Sequence, residues 1–277
     1  MKNKAIGIFD SGIGGLTLLK EIEILLPNEN LIYLGDTARV PYGTKSKSTI
    51  ERFSLEDVQF LLEFDVKLIV AACNTVSALA LPYLSTQIHP MLVNVIDPAV
   101  NAALQATQNG RIGVIGTQGT IKSRAYLRSL EENPHYRPGI EVQSIACPLF
   151  VPLVEEDWID EPETRLIAQK YLQPLISAKI DTLILGCTHY PLLKEVIREI
   201  MGPHVTLIDS AQSTARVISS ILHREKLLSS ASSSTTQFFV TDDPEKFKRM
   251  GERFLNRTIA HVNLAVFPLQ EKVSHDC

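Results

Sequence analysis

The sequence predicts an α/β protein made of two pseudo-symmetric domains. Each is expected to hold a mostly parallel four-stranded sheet, with the active site in the cleft between them. Three observations predict this. Short apolar runs rich in β-branched residues alternate with amphipathic stretches. The runs lack the polar alternation of a half-exposed strand, as expected of parallel strands covered on both faces. The order of segments in the first half of the chain recurs in the second.

Strands are expected at 5–9, 31–34, 67–71 and 92–96, and again at 112–115, 141–145, 182–186 and 205–208. Between them Leu16, Leu19, Ile22 and Leu26 recur at helical spacing. So do Phe53, Val58, Leu61 and Leu62, and later Leu192, Leu193, Val196, Ile197 and Ile200. Ile6-Gly7-Ile8-Phe9 matches Ile112-Gly113-Val114-Ile115. The run from Leu68 to Thr75 matches that from Thr182 to His189, and Val93 to Ala99 matches Val205 to Ala211. Three matches in one order, at similar separations, indicate a duplicated half. The boundary falls near residues 97–101. Beyond residue 211 a helix is expected to about Leu228, then a polar low-complexity loop, Ser229–Gln237. A strand at 238–241 and a helix at 244–255 follow, which neither half-repeat explains. Residues past about 268 are expected to fray.

Composition narrows the function. The chain has 277 residues, 45% apolar and 21% charged, which suits two ordinary globular domains. A formal charge of −4 argues against a nucleic-acid or acidic-lipid partner. No apolar run approaches the ~18 residues of a membrane helix, and the N-terminus does not read as a signal peptide. A cytoplasmic location is expected. The four cysteines, 73, 147, 187 and 277, show no metal-type or secreted spacing, so free thiols are expected.

Cys73 and Cys187 carry the main chemical signal. Each ends a buried strand and precedes a small polar residue and a helix. Ligands of parallel sheets bind at the carboxyl ends of strands, and a helix N-terminus beyond a thiol favours its thiolate. A lone buried Cys is ordinary packing. Two at equivalent places of related halves are not. Inverting a stereocentre by proton transfer needs a base on one face and an acid on the other, and two thiols across a cleft provide both.

Other segments are less specific. Asp10-Ser11-Gly12-Ile13-Gly14-Gly15 follows the first strand without meeting the dinucleotide pattern GxGxxG. Its glycines permit close backbone approach. Asp10 reads either as an N-cap or as a group that orients an ammonium or holds a thiol proton. Pro41-Tyr42-Gly43 reads as a turn. Thr117, Gly119 and Thr120 follow the strand equivalent to the first, where backbone N–H groups suit a carboxylate. Cys187-Thr188-His189 admits a metal pair, a Cys–His nucleophile, or a thiol whose protonation the histidine tunes. No second close pair completes a metal site. Cys147 reads as packing, Cys277 as functionless, and Glu155-Glu156-Asp157-Trp158 as a solvated turn.

At these residues the chain resembles the glutamate racemases of the aspartate/glutamate racemase superfamily. The resemblance rests on FDSGIGGL (9–16), GDTARVPYG (35–43), AACNT (71–75), IGVIGTQGT (112–120), CPLFVPLVEED (147–157) and LGCTHYPLL (185–193). FFVTDDPEKF (238–247) also fits, with Asp242 where Gly is usual, and Asp157 departs from the usual Gly. The resemblance implies interconversion of L- and D-glutamate for peptidoglycan synthesis, with no cofactor and no metal. It implies that Cys73 deprotonates D-glutamate and Cys187 L-glutamate, and that Asp10, Glu155 and His189 assist the thiols. It places substrate binding on Asp10, Ser11, Tyr42, Gly43, Asn74, Thr75, Thr188 and His189. It implies domains of 1–97 with 210–277, and 98–209. The small-molecule substrate is the expected partner, and a homodimer is compatible with the sequence. A related aspartate racemase, a silent amino-acid binding protein and a Cys187–His189 hydrolase are the rival readings.

Overall fold

The computed structural model describes residues 2–88 and 91–267. In chain order its strands are β1 (Ile6–Asp10), β2 (Leu31–Gly35), β3 (Leu68–Ala71), β4 (Met91–Asn94), β5 (Arg111–Gly116), β6 (Glu141–Ala146), β7 (Thr182–Gly186), β8 (Thr206–Asp209), β9 (Thr236–Val240) and β10 (Asn263–Leu264). The helices are α1 (Leu16–Leu25), α2 (Lys47–Leu62), α3 (Asn74–Leu79), α4 (Leu81–Gln87), α5 (Ile96–Ala106), α6 (Gln118–Lys122), α7 (Ala125–Glu131), α8 (Phe150–Glu155), α9 (Pro162–Ser177), α10 (Lys194–Met201), α11 (Ser210–Arg224) and α12 (Pro244–Leu255). The fraying expected past 268, and Cys277, lie outside the described residues.

Two parallel sheets form, as the sequence predicts. One has the order β10-β9-β2-β1-β3-β4, the other β6-β5-β7-β8. The duplication is visible in the connectivity. The core of the first sheet, β2-β1-β3-β4, has the strand order of the second, with β5 in the place of β1 and β7 in the place of β3. Register follows suit, since Phe9 pairs with Ala71 in one sheet and Gly116 with Gly186 in the other. In this order the connections leave the first strand in opposite directions, and the crevice that results at the carboxyl ends is where ligands bind.

The expectation of four strands per sheet holds for the second sheet and is corrected for the first, which has six. The tail strand β9 pairs with β2 along its whole length, Leu31 to Gly35 against Thr236 to Val240, and β10 pairs with β9. The physical reason is edge coverage. Without β9, β2 would expose a row of unpaired backbone groups. The strand expected at 92–96 ends early, because Asn94 turns the chain into α5 by accepting from the Ile96 and Asp97 N–H groups at 2.8 and 3.0 Å.

The cores explain why these runs are strands. β1, β2, β3 and β7 are buried at every position. One apolar cluster runs from Leu16, Leu19 and Ile22 of α1 through Ile218 and Leu222 of α11 to Leu183 and Leu185 of β7, joining the two sheets. α11 packs on α1 and on α5, so it touches both halves. The chain leaving α11 is fastened to the first sheet by a buried ion pair between Lys67 and Glu29. Lys67 Nζ also donates to the carbonyls of Lys2 (2.7 Å) and Leu227 (2.8 Å), while Glu29 accepts from Ser229 N–H at 2.8 Å. A buried pair with its remaining bonds satisfied is tolerated; a half-broken one is costly. No helix among the described residues is long and apolar enough to cross a membrane.

Candidate active site

The site forms where β1, β3, β5 and β7 end. Asp10 closes β1 and is wholly buried beneath the loop it begins. Its Oδ2 accepts the Gly12 N–H at 3.0 Å, while Oδ1 has no partner among the described residues. Tyr33 Oη donates to Gly12 O at 2.8 Å and pins the loop. Burial raises the Asp10 carboxyl above the usual carboxylate range, although the His189 charge and the Gly12 and Gly15 N–H groups pull the other way. The glycines serve close approach rather than phosphate binding. A Cβ on Gly14 would lie 2.2 Å from Thr188 Oγ1 and 2.5 Å from His189 Nδ1. Thr17 Oγ1 donates to Thr188 O at 3.1 Å, completing the contact between the loops after β1 and β7.

Cys73 follows β3 and caps α3. Its Sγ lies 3.6 Å from Ser11 Oγ. Burial, then the Asp10 charge, push the thiol up to about 12, against the Val76 N–H and Ser11, which favour the thiolate. At neutral pH Cys73 is therefore held as the protonated thiol.

Cys187 follows β7. The helix expected directly after it is corrected here: a 3₁₀ turn, Tyr190–Leu193, precedes α10. Pro191 and the tight packing of Tyr190 shape this turn, with Tyr190 Oη donating to Cys147 O at 2.9 Å. What faces Cys187 is His189, its Nδ1 4.0 Å from the sulfur. His189 Nε2 in turn meets Glu155 Oε1 at 3.1 Å, from the end of α8. Burial pulls the imidazole down, but the bonds and charges of Cys187 and Glu155 outweigh it and hold His189 up to about 10. Burial would raise Glu155, yet the His189 bond and charge leave it below its usual value. Phe254 of α12 stands edge-on to the imidazole at 6.2 Å. Glu155 is thus tied to His189 rather than left in a solvated turn, whereas Trp158 is half exposed as expected.

Both thiols line one cavity of 380 Å³, at the small end of the roughly 300–1,000 Å³ usual for small-molecule sites. Ser11, Tyr42, Gly43, Asn74, Thr75, Thr117, Glu155, Thr188 and His189 line it too, whereas Asp10, Gly119 and Thr120, also singled out in the sequence, do not. The role expected of Tyr42 narrows. Its hydroxyl is bonded to Asp36 and to Asp57 (3.2 Å), away from the thiols, which leaves backbone at Tyr42–Gly43 to face a ligand. Arg39 braces that turn, bonding Asp36 at 2.5 Å and Asp57 at 3.1 Å. Thr75 joins the halves through Thr117 Oγ1 at 3.0 Å, and Thr117 meets Thr120 at 3.0 Å. A Cβ on Gly43 would press to 2.8 Å of the Thr117 Cβ.

Sequence reasoning passed over Cys147, read as packing, and Pro148, Val151 and Pro152, which form an apolar wall of the same cavity. The signals for them were their place after β6, the strand equivalent to β2, and the segment CPLFVPLVEED (147–157), which carries part of the resemblance but assigns these four no role. A larger groove of 570 Å³ opens beside α1 and β9, holds no thiol, and has its Arg257 paired with Glu23 at 2.5 Å. Among the described residues no three His, Cys, Asp or Glu side chains converge as metal ligands.

Known proteins resemble the chain along most of its length. The family model described as Asp/Glu/Hydantoin racemase matches residues 14–218. The chain is 52% identical over 260 residues to a glutamate racemase of Geobacter metallireducens, covering 94% of this chain and 95% of that protein. Among solved structures, a glutamate racemase isoform of Bacillus anthracis superposes with a TM-score of 0.91 at 39% identity, covering 97% of this chain and 99% of the other. The glutamate racemase of Francisella tularensis in complex with D-glutamate superposes with a TM-score of 0.88 at 41% identity, covering 96% and 99%. An aspartate racemase of Picrophilus torridus shares the fold at 18% identity and a TM-score of 0.54. With duplicated sheets, paired strand-end thiols and these matches along nearly its whole length, the chain belongs to the Asp/Glu/Hydantoin racemase family.

Proposed function

We propose that the chain interconverts L- and D-glutamate by direct proton transfer at Cα between two thiols, with no cofactor, and supplies D-glutamate for peptidoglycan synthesis in the bacterial cytoplasm. The observation that carries the reading is that Cys73 and Cys187, at equivalent ends of duplicated sheets, line the same cavity. From L-glutamate, the Cys187 sulfur takes the Cα proton and the C–H electron pair stays on the substrate as a carbanion. The Cys73 thiol then gives its proton to the opposite face, and the reverse direction exchanges the roles. Base duty needs a thiolate, and His189, held up to about 10 and so an imidazolium at neutral pH, is backed by Glu155 and sets its positive charge beside the Cys187 sulfur. Asp10, buried beside Cys73, is the matching group on the other side. Ser11, Asn74, Thr75 and Thr188 offer hydroxyls and an amide to the two carboxylates and the ammonium, with backbone from Tyr42–Gly43. The domains are taken as 1–97 with 210–277, and 98–209, so that the substrate lies between them; a homodimer is consistent with this reading. Assay of glutamate beside aspartate decides the substrate: turnover of aspartate alone would overturn it.

The Cys187–His189–Glu155 chain also has the form of a hydrolase relay, which favours a thiol hydrolase as the second reading. That reading leaves Cys73 idle. Cys73→Ala separates the two, since a hydrolase would keep its activity without that thiol, and alkylation locates the site. Iodoacetamide is expected to inactivate the protein by labelling Cys73 or Cys187 well before Cys147, because the first two are each 5% exposed and Cys147 is fully buried. Excess D- or L-glutamate should slow the labelling. The rate at Cys73 should climb as pH rises toward 10, since its thiol is held up near 12 and the thiolate fraction grows with pH. Peptide mapping beside the activity assay reads this. Inactivation that tracks Cys147, or that glutamate fails to slow, would place the substrate elsewhere.

A further inference from the structure

We infer that Tyr126 is a positioning residue for substrate binding: its hydroxyl holds the Asn74 carbonyl, which commits the Asn74 amide N–H groups to a carboxylate of the substrate. The inference rests on the glutamate reading above.

Asn74 opens α3 directly after Cys73, is 2% exposed and lines the catalytic cavity. Tyr126 stands on α7 in the other half of the molecule, over the second sheet. Its hydroxyl donates to Asn74 Oδ1 at 2.6 Å, and among the described residues it has no other acceptor. The ring is fixed from behind: a Cβ on Gly186, the residue before Cys187, would lie 2.9 Å from Tyr126 Cε2. Burial, then the charges of Cys187 and Asp97, hold the phenol well above its usual range, so it stays a donor at any working pH. A donor facing the amide selects the carbonyl oxygen, not the nitrogen, as its partner.

The consequence is visible on the other side of the amide. Asn74 Nδ2 is buried and has no hydrogen-bond partner among the described residues. Buried donors are nearly always satisfied, and one left open beside a catalytic thiol is an unmet demand that a ligand's acceptor meets. A carboxylate oxygen suits it; an ammonium does not. Because the hydrogen bond joins the two halves, it also makes the binding amide sensitive to their relative placement.

The test is steady-state kinetics in both directions on the wild type, Tyr126→Phe, Asn74→Ala and the double variant, with thermal melts. Tyr126→Phe is expected to raise KM for both enantiomers roughly tenfold while kcat changes less than about threefold, the mark of lost ground-state binding rather than of a weakened fold. The double variant is expected to be no worse than Asn74→Ala alone, since Tyr126 acts through Asn74. Asn74→Asp provides a check that does not depend on how Tyr126→Phe folds. It keeps an acceptor for Tyr126 but loses the donor, so its KM should rise at least as far. Additive losses in the double variant, a fall in kcat at unchanged KM in Tyr126→Phe, or wild-type KM in Asn74→Asp would each overturn the assignment. The wild type in the same assay separates the two levels. An active wild type with additive variants overturns the Tyr126 assignment alone. A wild type inert toward both enantiomers overturns the glutamate reading and the assignment with it.

Discussion

Cys73→Ala and Cys187→Ala are each expected to lose racemisation in both directions by at least ~10²–10⁴-fold, the usual worth of a positioned acid or base. The loss follows from the geometry of inversion. Each thiol serves one face of Cα, so with either gone the carbanion has a proton source on one side only and collapses back to the enantiomer it came from. The surviving thiol has no route to the other face, because Cys73 is set against Ser11 and Cys187 against His189 on opposite sheets. Both variants should fold, since alanine replaces a side chain of similar size; a thermal melt beside chiral chromatography of the product checks both points. Near-wild-type turnover by either variant would refute the two-thiol scheme.

Gly14→Ala is expected to reduce activity by about 10²-fold or more and to destabilise the fold by about 1–3 kcal/mol. A Cβ there would come within 2.2 Å of Thr188 Oγ1 and 2.5 Å of His189 Nδ1. Neither neighbour can retreat freely. Thr188 is held through its carbonyl by Thr17, and His189 is fixed between Glu155 and Phe254. The clash must push the imidazole off Cys187 or part the two loops, and a misplacement of about 1 Å in a catalytic group costs about 10²-fold. Kinetics and a denaturant titration on one variant measure both effects. Unchanged turnover would mean that the contact between the loops does not support catalysis.

The sequence was most legible where burial is total. β1, β3 and β7 are covered on both faces, so their apolar runs stand out and locate Asp10, Cys73 and Cys187 at strand ends within a residue or so. The duplication was legible for the same reason, and it directed attention to the thiols before any cavity was known. β10 is two residues long and has no period to read, and nothing local to Phe238 says that its strand would cover the edge of β2. Side-chain direction was equally hidden. Tyr42 reads as a turn residue in sequence and as a substrate contact by resemblance, but spends its hydroxyl on Asp36 and on Asp57, the latter brought back by α2 from further along the chain. Glu155 looks like part of a solvated turn until His189 arrives from β7 to meet it. Tyr126 carries no local mark, and Cys147, though it opens a segment of the resemblance, reads as packing; the packing of strand ends and of α7 places them at the site.

The central claim is that two different groups, one on each face, handle the Cα proton. It is tested most directly by racemisation of L-glutamate in deuterated water, using protein dialysed against chelator, with the isotope content of substrate and product followed from the first turnovers. The account predicts D-glutamate that carries solvent deuterium at Cα from the outset, while the unreacted L-glutamate keeps its protium. Product that retains the substrate's own hydrogen would show a single group working both faces, and loss of all exchange after chelation, restored by one metal, would show that the thiols do not act alone.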